Sequence, residues 1–167
     1  GLGNSSGLVG TQLHAHPGAA AFGLFDEVVD PWIGSTQGYG AFLDETTKIE
    51  VLWSPLAVMA VRMPGLGHAL KENLAAFKHI AVWDALVRGT STGRIVRYSG
   101  SNPTVWFRLE QRDVDKLVGG LRTIGEMFFA AGATEVMPGI HGLPARLTSP
   151  EQVKVFEPGT ISAKQLT

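Results

Sequence analysis

Apolar residues fall along this chain in two rhythms: every second position in several short runs, and every third or fourth in two longer ones. In residues 49–53, Ile49, Val51 and Trp53 share one side and Glu50 and Leu52 the other, as in a strand that Pro55 then ends. Residues 104–109 alternate likewise, with Val105, Phe107 and Leu109 facing one way. Further strands are expected within residues 19–29, 39–43, 80–87 and 94–98, with a short edge strand at 135–137. Residues 64–77 read as a helix through Leu66, Leu70, Leu74 and Phe77. The clearer helix starts near Asp113 as N-cap. It carries the stripe Val114, Leu117, Val118, Leu121, Ile124 and Phe128, and Gly132 stands where a left-handed C-cap belongs. Ser149-Pro150-Glu151 opens a short helix running to Phe156.

Short strands with two longer helices predict an α+β fold, mostly antiparallel or mixed in its sheet, with helices on one face. Consecutive elements are usually neighbours, so Val105, Phe107 and Leu109 are expected to pack beneath the Val114–Phe128 stripe. A length of 167 residues suits one domain with a real core. No internal repeat is visible.

Charge narrows the function classes. The formal net charge is −1 and there is no basic run, which leaves no electrostatic footprint for nucleic acid. The apolar runs are short and interrupted, so no membrane span is expected. With no cysteine there is no disulfide framework, thiolate metal site or thiol nucleophile. The start of the chain lacks a signal-peptide pattern and an initiator methionine, which suggests a piece of something longer. The reading is a soluble protein of unassigned compartment.

Candidate chemistry is sparse. His14 and His16 lie on one side of an extended segment and suit zinc, but no third ligand stands at a workable spacing, so no metal site is assigned. The glycine pairs Gly38/Gly40 and Gly65/Gly67 lack the third glycine of a dinucleotide fingerprint. Trp32, Trp53, Trp83 and Trp106 suit either a core or a cavity wall. No catalytic residue is assigned.

Four segments carry a resemblance. Ser91 to Val136 runs strand, aromatic strand, D-x-x-x-L helix start and Ala130-Ala131-Gly132-Ala133 before Val136. Gly7-Leu-Val-Gly10-Thr-Gln-Leu13-His-Ala-His16-Pro17 is similar to a V-G-x-N-L-x-D-H-P segment, with Gln12 and Ala15 departing from it. Lys48-Ile-Glu-Val-Leu-Trp53-Ser-Pro55 is similar to a strand reading D-I-Q-x-H-F-x-P, and residues 159–167 resemble the approach to an H-x-x-G-T-x-R-M-G motif. Together they resemble the substrate domain of glucose–methanol–choline (GMC) flavin oxidoreductases, nearest the cholesterol oxidase and long-chain alcohol oxidase branch.

The resemblance implies three stretches. Residues 1–17 lead in at a flavin-domain boundary, residues 18–158 form the substrate domain, and residues 159–167 lead out toward a C-terminal flavin and catalytic region. It implies a parent that uses FAD to oxidise a CH–OH group, with the FAD site and the catalytic histidine outside these residues. The chain alone would bind no cofactor. Its partners would be the flavin-binding segments of the parent and an uncharged alcohol. Gly10, Leu13, His16 and Pro17 would lie near the flavin, and Tyr39, Leu52, Trp53, Trp83 and Trp106 would line the substrate pocket. The alternative is a stand-alone α+β binding or structural module without redox activity.

Overall fold

A computed structural model describes residues 3–96 and 102–166. The part of the expected 94–98 strand that falls on residues 97 and 98 lies outside the described residues.

The main sheet has five antiparallel strands in the order β3 (Gly40–Phe42), β4 (Thr47–Val51), β5 (Ile80–Val87), β2 (Gly18–Leu24) and β8 (Glu135–Met137). A second sheet joins β1 (Leu13–His14), β6 (Thr92–Val96) and β7 (Thr104–Trp106). β5 is central, pairing with β2 from Gly18↔Leu86 to Leu24↔Ile80 and with β4 from Thr47↔Val87 to Val51↔Trp83.

Strand alternation divides the core in two. Ala21, Ile49, Ala85 and Val87 point to one face, where the 20-residue helix α3 (Gln111–Ala130) lays down Val114, Leu117, Leu121, Ile124 and Phe128. Phe22, Ile80, Val82 and Met137 point to the other, where they meet Met59 and Met63 from α1 (Leu56–Arg62) and its end, and Leu70 and Leu74 from α2 (His68–Ala75). The α+β class therefore holds, but the helices are not confined to one face as expected: α3 takes one face, and α1 and α2 cover part of the other.

Several expectations change. The helix expected over 64–77 starts only at His68, because Gly65 and Gly67 hold φ of 103° and 57°, outside the helical region. Leu66 is consequently 89% exposed rather than part of a stripe. Phe77 leaves the helix for a 3₁₀ turn, Phe77–His79, and α1 fills a stretch whose unbroken apolar run shows no period. Helix α3 starts at Gln111 with Glu110 as its N-cap, so Asp113 is not the cap. Finally, β7 pairs with β6 in the second sheet, leaving Val105 56% exposed; only Leu109 of the expected trio packs against the core under α3. Gly132 is as expected, with φ of 97° just past the helix end. The expected helix from Ser149 to Phe156 is a 3₁₀ helix, Pro150–Val155.

Candidate functional site

The face opposite α3 is apolar at one end and polar at the other. Beyond the Leu52, Val82, Phe22 and Met137 level lies a row in register across four strands: Gly40↔Glu50, Glu50↔Asp84 and Ala20↔Asp84. Two carboxylates thus stand directly opposite each other on the central strand pair, and both are buried. The next row holds Lys48, Leu86 and Gly18.

The two acids have unequal surroundings. Glu50 Oε1 accepts a bond from Gln37 Nε2 at 2.7 Å, and its other oxygen pairs with Lys48 Nζ. Asp84 Oδ1 is buried with no hydrogen-bond partner. Burial, and then the charge of Glu50, push the Asp84 carboxyl up to about 6; its own backbone N–H, then Lys48 and Arg62, offset this only in part. A carboxyl titrating there can accept or donate a proton near neutral pH.

Beside the Lys48–Leu86 row, and lined by neither acid, runs a groove of about 340 Å³, bordered by His16, Phe42, Glu45, Lys48, Leu86 and Arg88. A larger, open cleft of about 1090 Å³ lies between the second sheet and the end of the chain, lined by Thr92, Phe107, Leu109, Gln111, Ser162 and Lys164 among others. A third acid, Asp113, is fully buried behind it. Burial would raise that carboxyl, but bonds from Ser91 Oγ and N (2.5 and 2.8 Å) and from Thr90 N and Oγ1 outweigh it and hold it below its ordinary value. Ser91 Oγ in turn accepts the Glu110 N–H at 2.8 Å, so this cluster fixes the start of α3.

The residues singled out in the sequence are spread over these features. Gly10 abuts β6, its carbonyl accepting Ile95 N–H at 2.7 Å, and Leu13 pairs with Gly93. His16 borders the groove, and Pro17 O accepts Val87 N–H at 3.0 Å. At one end of β4, Tyr39 O accepts Val51 N–H and Thr36 Oγ1 donates to Trp53 O, and the Tyr39 side chain is exposed. Leu52 belongs to the cluster under α1 and α2, whereas Trp83 packs on the opposite face against the core under α3. Trp106 is exposed in the second sheet. Asp84 escaped the sequence reading, although a lone acid inside the apolar run IAVWDALV was a visible anomaly. Among the described residues, no three His, Asp or Glu side chains gather as a metal-ion group.

No family model matches the chain. Over 156 residues, 90% of its length, it is 34% identical to proteins from two strains of Mycobacterium tuberculosis, each named an uncharacterized GMC-type oxidoreductase. Over 157 residues, 89% of its length, it is 29% identical to a protein of Sinorhizobium fredii with the same description. The chain spans 24% of the length of the mycobacterial proteins and 30% of the rhizobial one. Similarity carried across nine-tenths of the chain to three proteins of that description supports the GMC oxidoreductase family for this chain.

Proposed function

We propose that the chain is the substrate-domain portion of an FAD-dependent alcohol oxidoreductase, which moves a hydride from a CH–OH group to flavin. The observation that carries this reading is the similarity along nearly the whole chain to GMC-type oxidoreductases several times its length.

The described residues do not suit the FAD pyrophosphate. A dinucleotide needs a glycine turn leading from a strand into a helix N-terminus. Here α1 follows Pro55, α2 follows α1 through Gly67, and α3 opens on Glu110 with Asp113 in its first turn. An acidic first turn repels a phosphate. The cofactor is accordingly assigned to other segments of the parent, with Gly10, Leu13, His16 and Pro17 proposed to approach the flavin. Titrating FAD into the isolated chain should leave flavin fluorescence unchanged, and stoichiometric quenching would disprove that assignment.

For the substrate, the proposed wall is Tyr39, Leu52 and Trp53, with Trp83 and Trp106 reached only if further surfaces contribute. These side chains are apolar and aromatic, which supports an uncharged, bulky or long-chain alcohol, in keeping with the cholesterol oxidase and long-chain alcohol oxidase branch. Each buried methylene contributes about 0.8 kcal/mol, so kcat/KM should climb with chain length until the cavity is full. The test is anaerobic mixing of the intact parent with a series of primary alcohols and a free sugar. Bleaching of the flavin by the alcohols is expected. A parent reduced by none of them, or preferentially by the sugar, would overturn the reading.

A further inference from the structure

We propose that the hairpin of α1 and α2 is a peripheral membrane-docking element, which lays an apolar face on a bilayer containing anionic lipid. The proposal stands without the oxidoreductase reading, although a bilayer is where a long-chain alcohol would dissolve.

The first argument is an inverted helix. Met59 and Met63, one turn apart, are buried against the sheet. The outward positions of a surface helix are normally polar. In α1 they are Ala57, Val58 and Val61, with Leu56 at the helix start. Val61 is 87% exposed, and Leu56 and Val58 are half-exposed. The bare Leu66 follows in the connection, between Gly65 and Gly67 at positive φ. Helix α2 is the contrast, since its exposed positions include His68, Lys71 and Glu72. A helix that is apolar all round belongs inside a protein or in lipid, so the outer side of α1 calls for a cover.

The second argument is charge, which selects the cover. From Val51 to Lys71 the sequence contains no Asp or Glu. Arg62 directly follows Val61, Lys71 lies in the first turn of α2, and both are exposed. Among the described residues neither makes a salt bridge. The next acid, Glu72, is already engaged by His68 at 3.4 Å. Exposed aliphatic side chains rimmed by free cations match acyl chains beneath anionic headgroups, and the long stems of Arg62 and Lys71 let their charges stay at the headgroup level. Among the described residues no helix is long and apolar enough to cross a membrane, so the element lies on the bilayer rather than through it.

The third argument is rigidity. The apolar face is held out by the fold and is not a loose end. Met59 and Met63 pack with Phe22 and Val82 of the sheet, and Leu70 and Leu74 of α2 join them. Asn73 Nδ2 donates to Pro64 O at 2.9 Å, which ties the connection to α2, and Asn73 Oδ1 accepts a bond from Arg146 Nη2 at 2.6 Å. A face already ordered loses little conformational freedom when it docks.

The test is cosedimentation of the intact parent, and of the chain alone, with vesicles of phosphatidylcholine and with vesicles in which about a third of the lipid is phosphatidylserine. Both proteins should bind the anionic vesicles more tightly, and added salt should weaken that binding. Val61→Asp combined with Leu66→Asp should lower partitioning about tenfold or more while leaving the melting temperature unchanged, because both side chains are exposed. Val61→Ser with Leu66→Ser serves if the aspartates disturb the fold. Arg62→Gln with Lys71→Gln should remove the preference for the anionic vesicles. The proposal is overturned if the parent binds no vesicles, or if the Val61 and Leu66 variants bind as the wild type does. Binding by the chain alone but not by the parent would assign the face to another segment of the parent. Self-association without vesicles, lost in those variants, would assign it to a second copy. Either result also overturns the proposal. A parent that binds vesicles but oxidises no alcohol supports the docking and counts against the oxidoreductase reading alone.

Discussion

Asp84 and Asp113 are the same residue type with opposite roles in the pH response. Asp113 is held low by its Thr90 and Ser91 bonds, so its contribution to stability is complete above its ordinary value of 3.8 and is lost as pH falls through its folded value. Asp84 is held high, at about 6 against 3.8. Its folded form keeps a proton that the unfolded chain has already released. That contribution is complete below about pH 4 and is lost as pH rises through 6, by roughly 3 kcal/mol for a shift of this size. Urea denaturation of the wild type should therefore show stability falling between pH 4 and 7, and Asp84→Asn should flatten that fall. A wild-type profile that rises over the same interval would show that burial and Glu50 do not hold the Asp84 carboxyl up as described. Neither role was legible in the sequence, where Asp113 read as a helix cap and Asp84 as one letter of an apolar run. Hydrogen bonding and burial are set by residues 20 to 60 positions away, and no local spacing records them.

At the scale of the element, α3 shows how closely a helix can sit on a sheet. A Cβ at Gly120 would fall 2.5 Å from the Ala85 methyl on β5, while one at Gly119 would meet nothing within 4 Å. Adjacent glycines therefore answer oppositely to alanine. Gly119→Ala should stabilise by up to about 1 kcal/mol through helix propensity, and Gly120→Ala should destabilise, since the clash outweighs the same gain. Thermal melts of the two variants decide this, and equal shifts would contradict the packing. Leu121→Ala should cost about 2–5 kcal/mol, whereas Val105→Ala should be nearly neutral because β7 lies outside this core. A costly Val105→Ala in chemical denaturation would restore the packing expected from sequence. The stripe of α3 and its Gly132 cap were readable because both follow from a fixed helical period. The destination of the stripe was not. Adjacency in sequence pointed to residues 104–109, but pairing with β6 drew that strand into the other sheet. Helix α1 went unseen for a related reason: a helix with apolar residues on every side has no period to read.

For the whole molecule, the alternation of Ile49 and Val51 against Glu50 and Leu52 was enough to divide the main sheet into its two faces. What the sequence could not supply was the strand order. The small groove exists only because β2, β4 and β5 lie side by side, bringing His16, Lys48 and Leu86 together from three distant stretches. The candidate site is in that sense a property of topology, and its residues carried no shared motif.

That topology also governs how fast the chain can find its structure. The central pairing joins Leu24 to Ile80 and Gly18 to Leu86, so about 55 to 67 residues must be looped out before β2 and β5 gain their first hydrogen bond. Most of the entropy is surrendered before the pairing returns any of it. Refolding from urea should therefore take milliseconds to seconds rather than the microseconds of a helical bundle, as stopped-flow tryptophan fluorescence can measure. Until β2 arrives, the inner edge of β5 is bare and its apolar run is open to any other strand, so refolding yield should fall as protein concentration rises.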